Sequence, residues 1–207
     1  LSAAPGWAQD DDPGHADDNL VRVEDAKVAR AYVDPEADFS VFKRVAILEP
    51  LVSFRSNWQR DQNRSRSHNV SARDMQRIKE DVATLFERVF TERLEAAGYE
   101  VVEVAADDVL LLRPAIIDLD ITAPDTRSAG RSRTFTTSTG AATLFIELYD
   151  SVTGDLLGRA ADRQAVRQAG GMLSWSNSVT NSADARRMLG RWADQLVTFL
   201  QSHYSGS

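Results

Sequence analysis

The sequence predicts an α+β fold: a two-layer sandwich in which two amphipathic helices pack on one face of a mostly antiparallel sheet of about five strands, in the order β-α-β-β-β-β-α. Three observations predict it. Two stretches, one after Val70 and one near the C-terminus, carry apolar residues at three- and four-residue intervals, the spacing that gathers them on one side of a helix. The run Val45-Ala46-Ile47-Leu48 is apolar without alternation, as in a strand covered on both faces. Between the helical stretches, alternating segments are separated by Asp- and Gly-containing turns, which reads as strands joined by tight connections.

The first strand spans Lys43 to Glu49, and Pro50, unable to donate to a ladder, ends it. Residues 53 to 70 read as a long polar loop. Ser71 then opens the clearest element as an N-cap, with Asp74 at the capping-box position and Val70 and Met75 spaced as a hydrophobic staple. Met75, Ile78, Val82, Leu85, Phe86, Val89 and Leu94 form its stripe, and Gly98 supplies the left-handed stop. Such a helix has about 26 residues and a length of ~40 Å. Tyr99 to Val104 is a short strand, Asp107-Asp108 a turn, and Val109 to Thr122 a longer strand. In the latter, Ile117, Leu119 and Ile121 alternate with Asp118, Asp120 and Thr122, giving one covered and one wet face. Pro114 inside it implies an edge, a bulge or a break. Thr134 to Tyr149 and Leu156 to Val166 form a hairpin around Asp150 to Asp155, with Gly154 suited to a positive φ and the register left open. Ser182 or Asn181 caps the last helix, whose stripe is Met188, Leu189, Trp192, Leu196, Phe199 and Leu200.

The 207 residues fit one domain with a tail, and charge separates the two. Residues 1–38 hold ten acids against three bases; taken from the totals of 31 and 24, these leave 21 acids and 21 bases for the rest. A neutral domain argues against a general nucleic-acid binder, which needs surplus Lys and Arg to displace counterions from phosphates. Gly6 and Ala8 ahead of Asp10-Asp11-Asp12 read as the end of a secretion signal, residues 1–8. Residues 9–38 are expected to be an acidic, largely flexible segment. In it Val21, Val23, Val28, Tyr32 and Val33 are the residues able to pack onto the domain of residues 39–204, which begins past the turn at Asp34-Pro35. No stretch approaches the ~18 apolar residues of a membrane span. The absence of Cys removes disulfides, thiolate nucleophiles, Cys-based zinc sites and an acylated lipid anchor in this chain.

No constellation for bond-making chemistry appears, so no catalytic residue, metal or cofactor is expected. His15, His68 and His203 have no partner at ligand spacing, and no nucleophile elbow, phosphate loop or dinucleotide fingerprint occurs. Asp118 and Asp120 fall on one strand face, where the ordinary reading is a solvated edge and the sharper one a cation or shared-proton site. The most distinctive feature is a pair of Arg-rich loops. Arg55, Arg60, Arg64 and Arg66 surround Trp58 after the first strand, and Arg127, Arg131 and Arg133 precede the hairpin. If the first and third strands run parallel, both loops leave the same end of the sheet and form a cationic rim for a carboxylate, phosphate or lipid head group. The plainer reading is two solvated loops with Trp58 folded onto the core. Trp175 fills space at a sheet edge or lines a contact, Trp192 belongs to the core, and the Ser/Thr run Thr134 to Thr139 offers a flat strand face.

Several segments together resemble one bacterial family: Ala31-Tyr32-Val33-Asp34-Pro35, Val45-Ala46-Ile47-Leu48-Glu49-Pro50, Asn57-Trp58-Gln59-Arg60-Asp61, Gly98-Tyr99-Glu100-Val101-Val102, Asp108-Val109-Leu110, Tyr149-Asp150-Ser151-Val152-Thr153-Gly154 and Arg191-Trp192-Ala193. This is the envelope lipoprotein family catalogued as domain of unknown function 3313, and the resemblance runs over residues 31 to 200. It implies a Gram-negative envelope protein without an assigned activity, and it carries over no catalytic residues. The chain departs from the lipoprotein members in lacking the acylated Cys. The expectation is therefore a periplasmic, non-catalytic module that binds envelope proteins or its own copies. The alternative is a binder of small anions through the Arg loops. An enzyme ranks third, and a pocket joining Asp118, Asp120 and His68 would raise it.

Overall fold

The structure, a computed structural model, describes residues 19–64, 69–122, 136–165 and 178–204. They form an α+β sandwich in which helices cover one face of a mixed sheet. The strands are β1 (Val21–Arg22), β2 (Arg30–Val33), β3 (Arg44–Ile47), β4 (Leu51–Phe54), β5 (Glu100–Val102), β6 (Val109–Thr122), β7 (Thr136–Asp150) and β8 (Leu156–Ala165). The helices are α1 (Trp58–Arg64), α2 (Ala72–Ala96) and α3 (Ser178–Tyr204), with a 3-10 turn at Phe39–Val41. The sheet order is β1-β2-β8-β7-β6-β3-β5, with β4 also paired to β6.

The expected five mostly antiparallel strands and two helices are corrected to eight strands and three helices among the described residues. Three of the seven strand pairings, β3 with β5, β3 with β6 and β4 with β6, are parallel. The cause is α2. A helical crossover that returns the chain to the same sheet sets the next strands parallel to the one it left. Two short strands also precede Asp34-Pro35. Antiparallel pairing of β2 to β8 and of β1 to β2 puts residues 21–33 into the sheet.

Pro114 is resolved in an instructive way. The strand β6 is central, and it runs unbroken through Pro114, which pairs with Ile146 of β7. On its other side β3 pairs up to Leu112 and β4 starts at Ala115. Pro114 therefore sits where one parallel neighbour hands over to the next, so its missing N–H costs no ladder bond. Pro50 lies in the matching gap, and the break falls in the partner strand rather than in β6.

Local signals place α2 as expected. The Ser71 hydroxyl accepts from Asp74 N, the Asp74 carboxylate accepts from Ser71 N, and Gly98 takes φ 94°. Ile78, Phe86, Val89, Phe90 and Leu94 are buried over the sheet, with Phe86 and Phe90 stacked at 3.9 Å. The last helix begins at Ser178, so Asn181 and Ser182 lie inside it rather than capping it. Polar residues are tolerated there because first-turn N–H groups have no intrahelical partner. The hairpin turn keeps Gly154 at φ 76°, and a register shift at Leu148/Tyr149 sets the pairing.

Candidate functional site

In the Arg-rich region after β4, Arg55 and Trp58 are built into the fold. Parallel β4 and β6 do bring the end of β6 beside residues 55–64: Arg55 N donates to the Leu119 carbonyl. Arg55 bridges two carboxylates, Asp61 at 2.7 Å and Asp120 at 2.8 Å. Its hydrogen bonds to Asp61 and Asp120 raise its pKa, and Arg55 in turn holds Asp61 below the usual carboxylate range. Trp58 is buried at 1% exposure, stacks on Phe54 at 4.0 Å, and donates from Nε1 to the Ile121 carbonyl. Arg60 and Arg64 are exposed on α1. Arg66, Arg127, Arg131 and Arg133 lie outside the described residues, as do His15, His68 and Trp175.

The acid pair is divided. Asp118 adopts φ 51°, and the β6–β7 register shifts between Ile117 and Asp120. That inserted residue turns Ile117 away from Leu119: Ile117 packs with Phe145 and Ala161, whereas Leu119 joins the main core. The expected alternation of Ile117, Leu119 and Ile121 on one face is thus corrected. Asp118 lies 4.0 Å from Arg163 and Asp120 is held by Arg55, so each carboxylate has its own cation. Among the described residues no cluster of His, Asp and Glu is grouped to hold a metal ion, and no helix is long and apolar enough to cross a membrane.

A cleft lies on the other half of the sheet, under α3. Alternation along β7 turns Leu144, Ile146 and Leu148 to the helix side, and Trp192, Leu196 and Phe199 of α3 face them. Residues 23–28, between β1 and β2, form a strap along the third side. The space enclosed is about 360 Å³ and walled mainly by apolar groups.

A polar network fixes the walls. Asp162 of β8 accepts from Trp192 Nε1 at 2.8 Å, from Gln164 Nε2 at 3.1 Å and, on its other oxygen, from Ala29 N at 3.1 Å. One carboxylate thereby ties β8 to the helix and to the strap. Gln195 Nε2 donates to the Lys27 carbonyl at 3.0 Å, a second tie between α3 and the strap. Arg159 is 6% exposed, with its guanidinium 5.4 Å from the Tyr32 ring centroid. The sequence reading placed Trp192 correctly in the core but missed the cleft. The available signal was the set Val23, Val28 and Tyr32, apolar residues within an acidic stretch, all of which line it.

A family model described as "Protein of unknown function (DUF3313)" matches residues 14–196. No curated protein matches the chain. Solved structures with a similar course of chain include the PelC dodecamer from Paraburkholderia phytofirmans, 13% identical over 77% of this chain and 91% of that one, TM-score 0.42. The hypothetical protein CT253 from Chlamydia trachomatis is 11% identical over 77% and 99%, TM-score 0.43. A minor lipoprotein from Acinetobacter baumannii is 10% identical over 78% and 94%, TM-score 0.35.

Proposed function

The chain belongs to the DUF3313 family of proteins of unknown function, and on that premise we propose that it is a non-catalytic periplasmic module of the cell envelope that acts by binding. The cleft under α3 is its binding site, and its ligand is a small molecule with a large apolar part. The observation that carries this reading is the cavity of about 360 Å³. Apolar cavities of about 150 Å³ already take up benzene-sized guests, and ligand pockets begin at about 300 Å³. The Arg-loop reading is the weaker one, because Arg55 is engaged by two acids and Trp58 is buried. It rests on the exposed Arg60 and Arg64 together with Arg66, Arg127, Arg131 and Arg133, which lie outside the described residues. The envelope placement follows the family resemblance, and cell fractionation checks it.

A second reading, docking of an envelope protein or a second copy, is favoured by the edge of β4. This strand pairs only with β6 among the described residues, and its Leu51 and the preceding Leu48 are 44% and 45% exposed. Unpaired edges with apolar side chains are templates for strand addition. Solution mass with and without Leu51→Lys tests it: an unchanged monomer that captures no envelope protein rejects this reading.

The cleft is tested with a neutral fluorescent naphthylamine and the full chain. Saturable binding that quenches Trp192 is expected, with loss of binding in Ala160→Phe, which fills the cleft from β8. Equal binding by that variant, with its fold intact by circular dichroism, would place the ligand elsewhere.

A further inference from the structure

We infer that the cleft takes a single-chain amphiphile with a zwitterionic head, the chemistry of a lysophospholipid, its acyl chain inside and its head between the strap and α3. This rests on the reading of the cleft as a binding site and goes beyond it in naming the ligand class.

The first argument is the division of the walls. The lining is mainly apolar, and the exposed residues in it include four polar ones, Asp25 and Lys27 on the strap and Thr198 and Ser202 on α3. Thr198 and Ser202 are four residues apart and so share a helix face. A mainly apolar lining with a few exposed polar residues matches a molecule with a large apolar part and a small polar one.

The second is size. At ~30 Å³ per water, about 360 Å³ corresponds to roughly a dozen waters. That space lies near the lower end for ligand pockets and suits one hydrocarbon chain rather than two.

The third is charge. The cleft residues include two acids, Asp25 and Asp162, and two bases, Lys27 and Arg159. The pair Asp162 and Arg159 is occupied, the first by three donors and the second over Tyr32. Asp25 and Lys27 are exposed, two residues apart on the strap, and enter no ion pair among the described residues. A head group carrying one ammonium and one phosphate finds a counter-charge for each, whereas a purely anionic or cationic head meets one partner and one like charge.

The test uses the full chain, titrated below micelle formation and followed by calorimetry. The probes are lysophosphatidylethanolamine with a twelve-carbon chain, dodecanoate and dodecyltrimethylammonium. An exposed charge contact is worth about threefold, so the zwitterion is expected to bind about tenfold more tightly than either singly charged probe. Lys27→Glu should move the preference toward the cation, and Asp25→Lys toward the anion. Shortening the acyl chain by two carbons should weaken binding about tenfold. If the three heads bind alike and both variants leave the order unchanged, the head-group assignment is wrong while the apolar cleft stands. If affinity does not depend on chain length, the cleft reading fails with it.

Discussion

The two halves of the sheet are built from the same parts and packed to different ends. In the parallel half, α2 lies against β4 and β5, and its Phe86 and Leu94 are fully buried, as is Val45 of β3, while its Phe90, also buried, reaches the wall of the cleft. In the antiparallel half, α3 lies against β7 and the 3-10 turn, yet a cavity remains between helix, sheet and strap. Folding stability requires only enough burial, and the parallel half supplies a closed core. The antiparallel half therefore tolerates a hollow, and a hollow bounded by a rigid sheet on one side and a tied strap on the other is where binding can be selected.

Truncation gives the largest expected contrast. Phe86→Ala removes a fully buried ring stacked on Phe90 and should cost about 3–5 kcal/mol in denaturant unfolding. Phe199→Ala, which trims a half-buried ring already bordering the cleft, should cost only about 1–2 kcal/mol. Equal costs would mean that the cleft half is packed as tightly as the other.

The same contrast governs what the sequence discloses. The features of α2 are local: Ser71, Asp74 and Gly98 announce its ends within a few residues of where they act. Strand β4 is invisible because Leu51 follows Pro50 directly and its pairing to Ala115 lies more than sixty residues away. The bulge at Asp118 is hidden for a related reason. A single residue in the left-handed region reverses the faces of β6, and Asp in that region carries no stronger sequence mark than Asp in a strand. The cleft is least legible of all. Leu144, Ile146, Trp192 and Leu196 each read as core, and only their separation in space distinguishes a wall from a filled interior. Charge misled in the opposite direction, since Arg55 reads as a free cation until Asp120 is placed beside it.

Acid should expose the halves in order. Asp74 is held low chiefly by Ser71, Asp108 by Arg44 and Asp61 by Arg55, all three in the parallel half, against Asp38, held low by Ser40, at the 3-10 turn beside α3. A depressed folded pKa contributes stability that is present above the unfolded value near 3.8 and is lost as pH falls through the folded one. Hydrogen exchange between pH 4 and pH 2 (roughly the window below that value) should then show β3, β6 and the start of α2 losing protection before β7 and β8. Asn at positions 61, 74 and 108 together should flatten that acid dependence. Simultaneous loss in both halves, unaltered in the triple variant, would show that these carboxylates do not set the order.

The smallest effect is expected at the seam, where α2 meets α3. Arg93 lies 3.5 Å from Asp194 and Arg186 lies 3.3 Å from Glu92, with all four side chains about half exposed. Solvent screens such pairs, and ordering two long side chains offsets much of the attraction. A double-mutant cycle on Arg93→Ala and Asp194→Ala should give a coupling of about 0.5 kcal/mol or less. Gly190 sharpens the point, because a Cβ there would meet the Arg93 guanidinium at 3.4 Å, the flexible end of a side chain able to move aside. With ion pairs this weak, apolar packing of α2 on α3 holds the seam. A coupling of 2 kcal/mol or more would instead make the ion pairs a principal tie between the two helices.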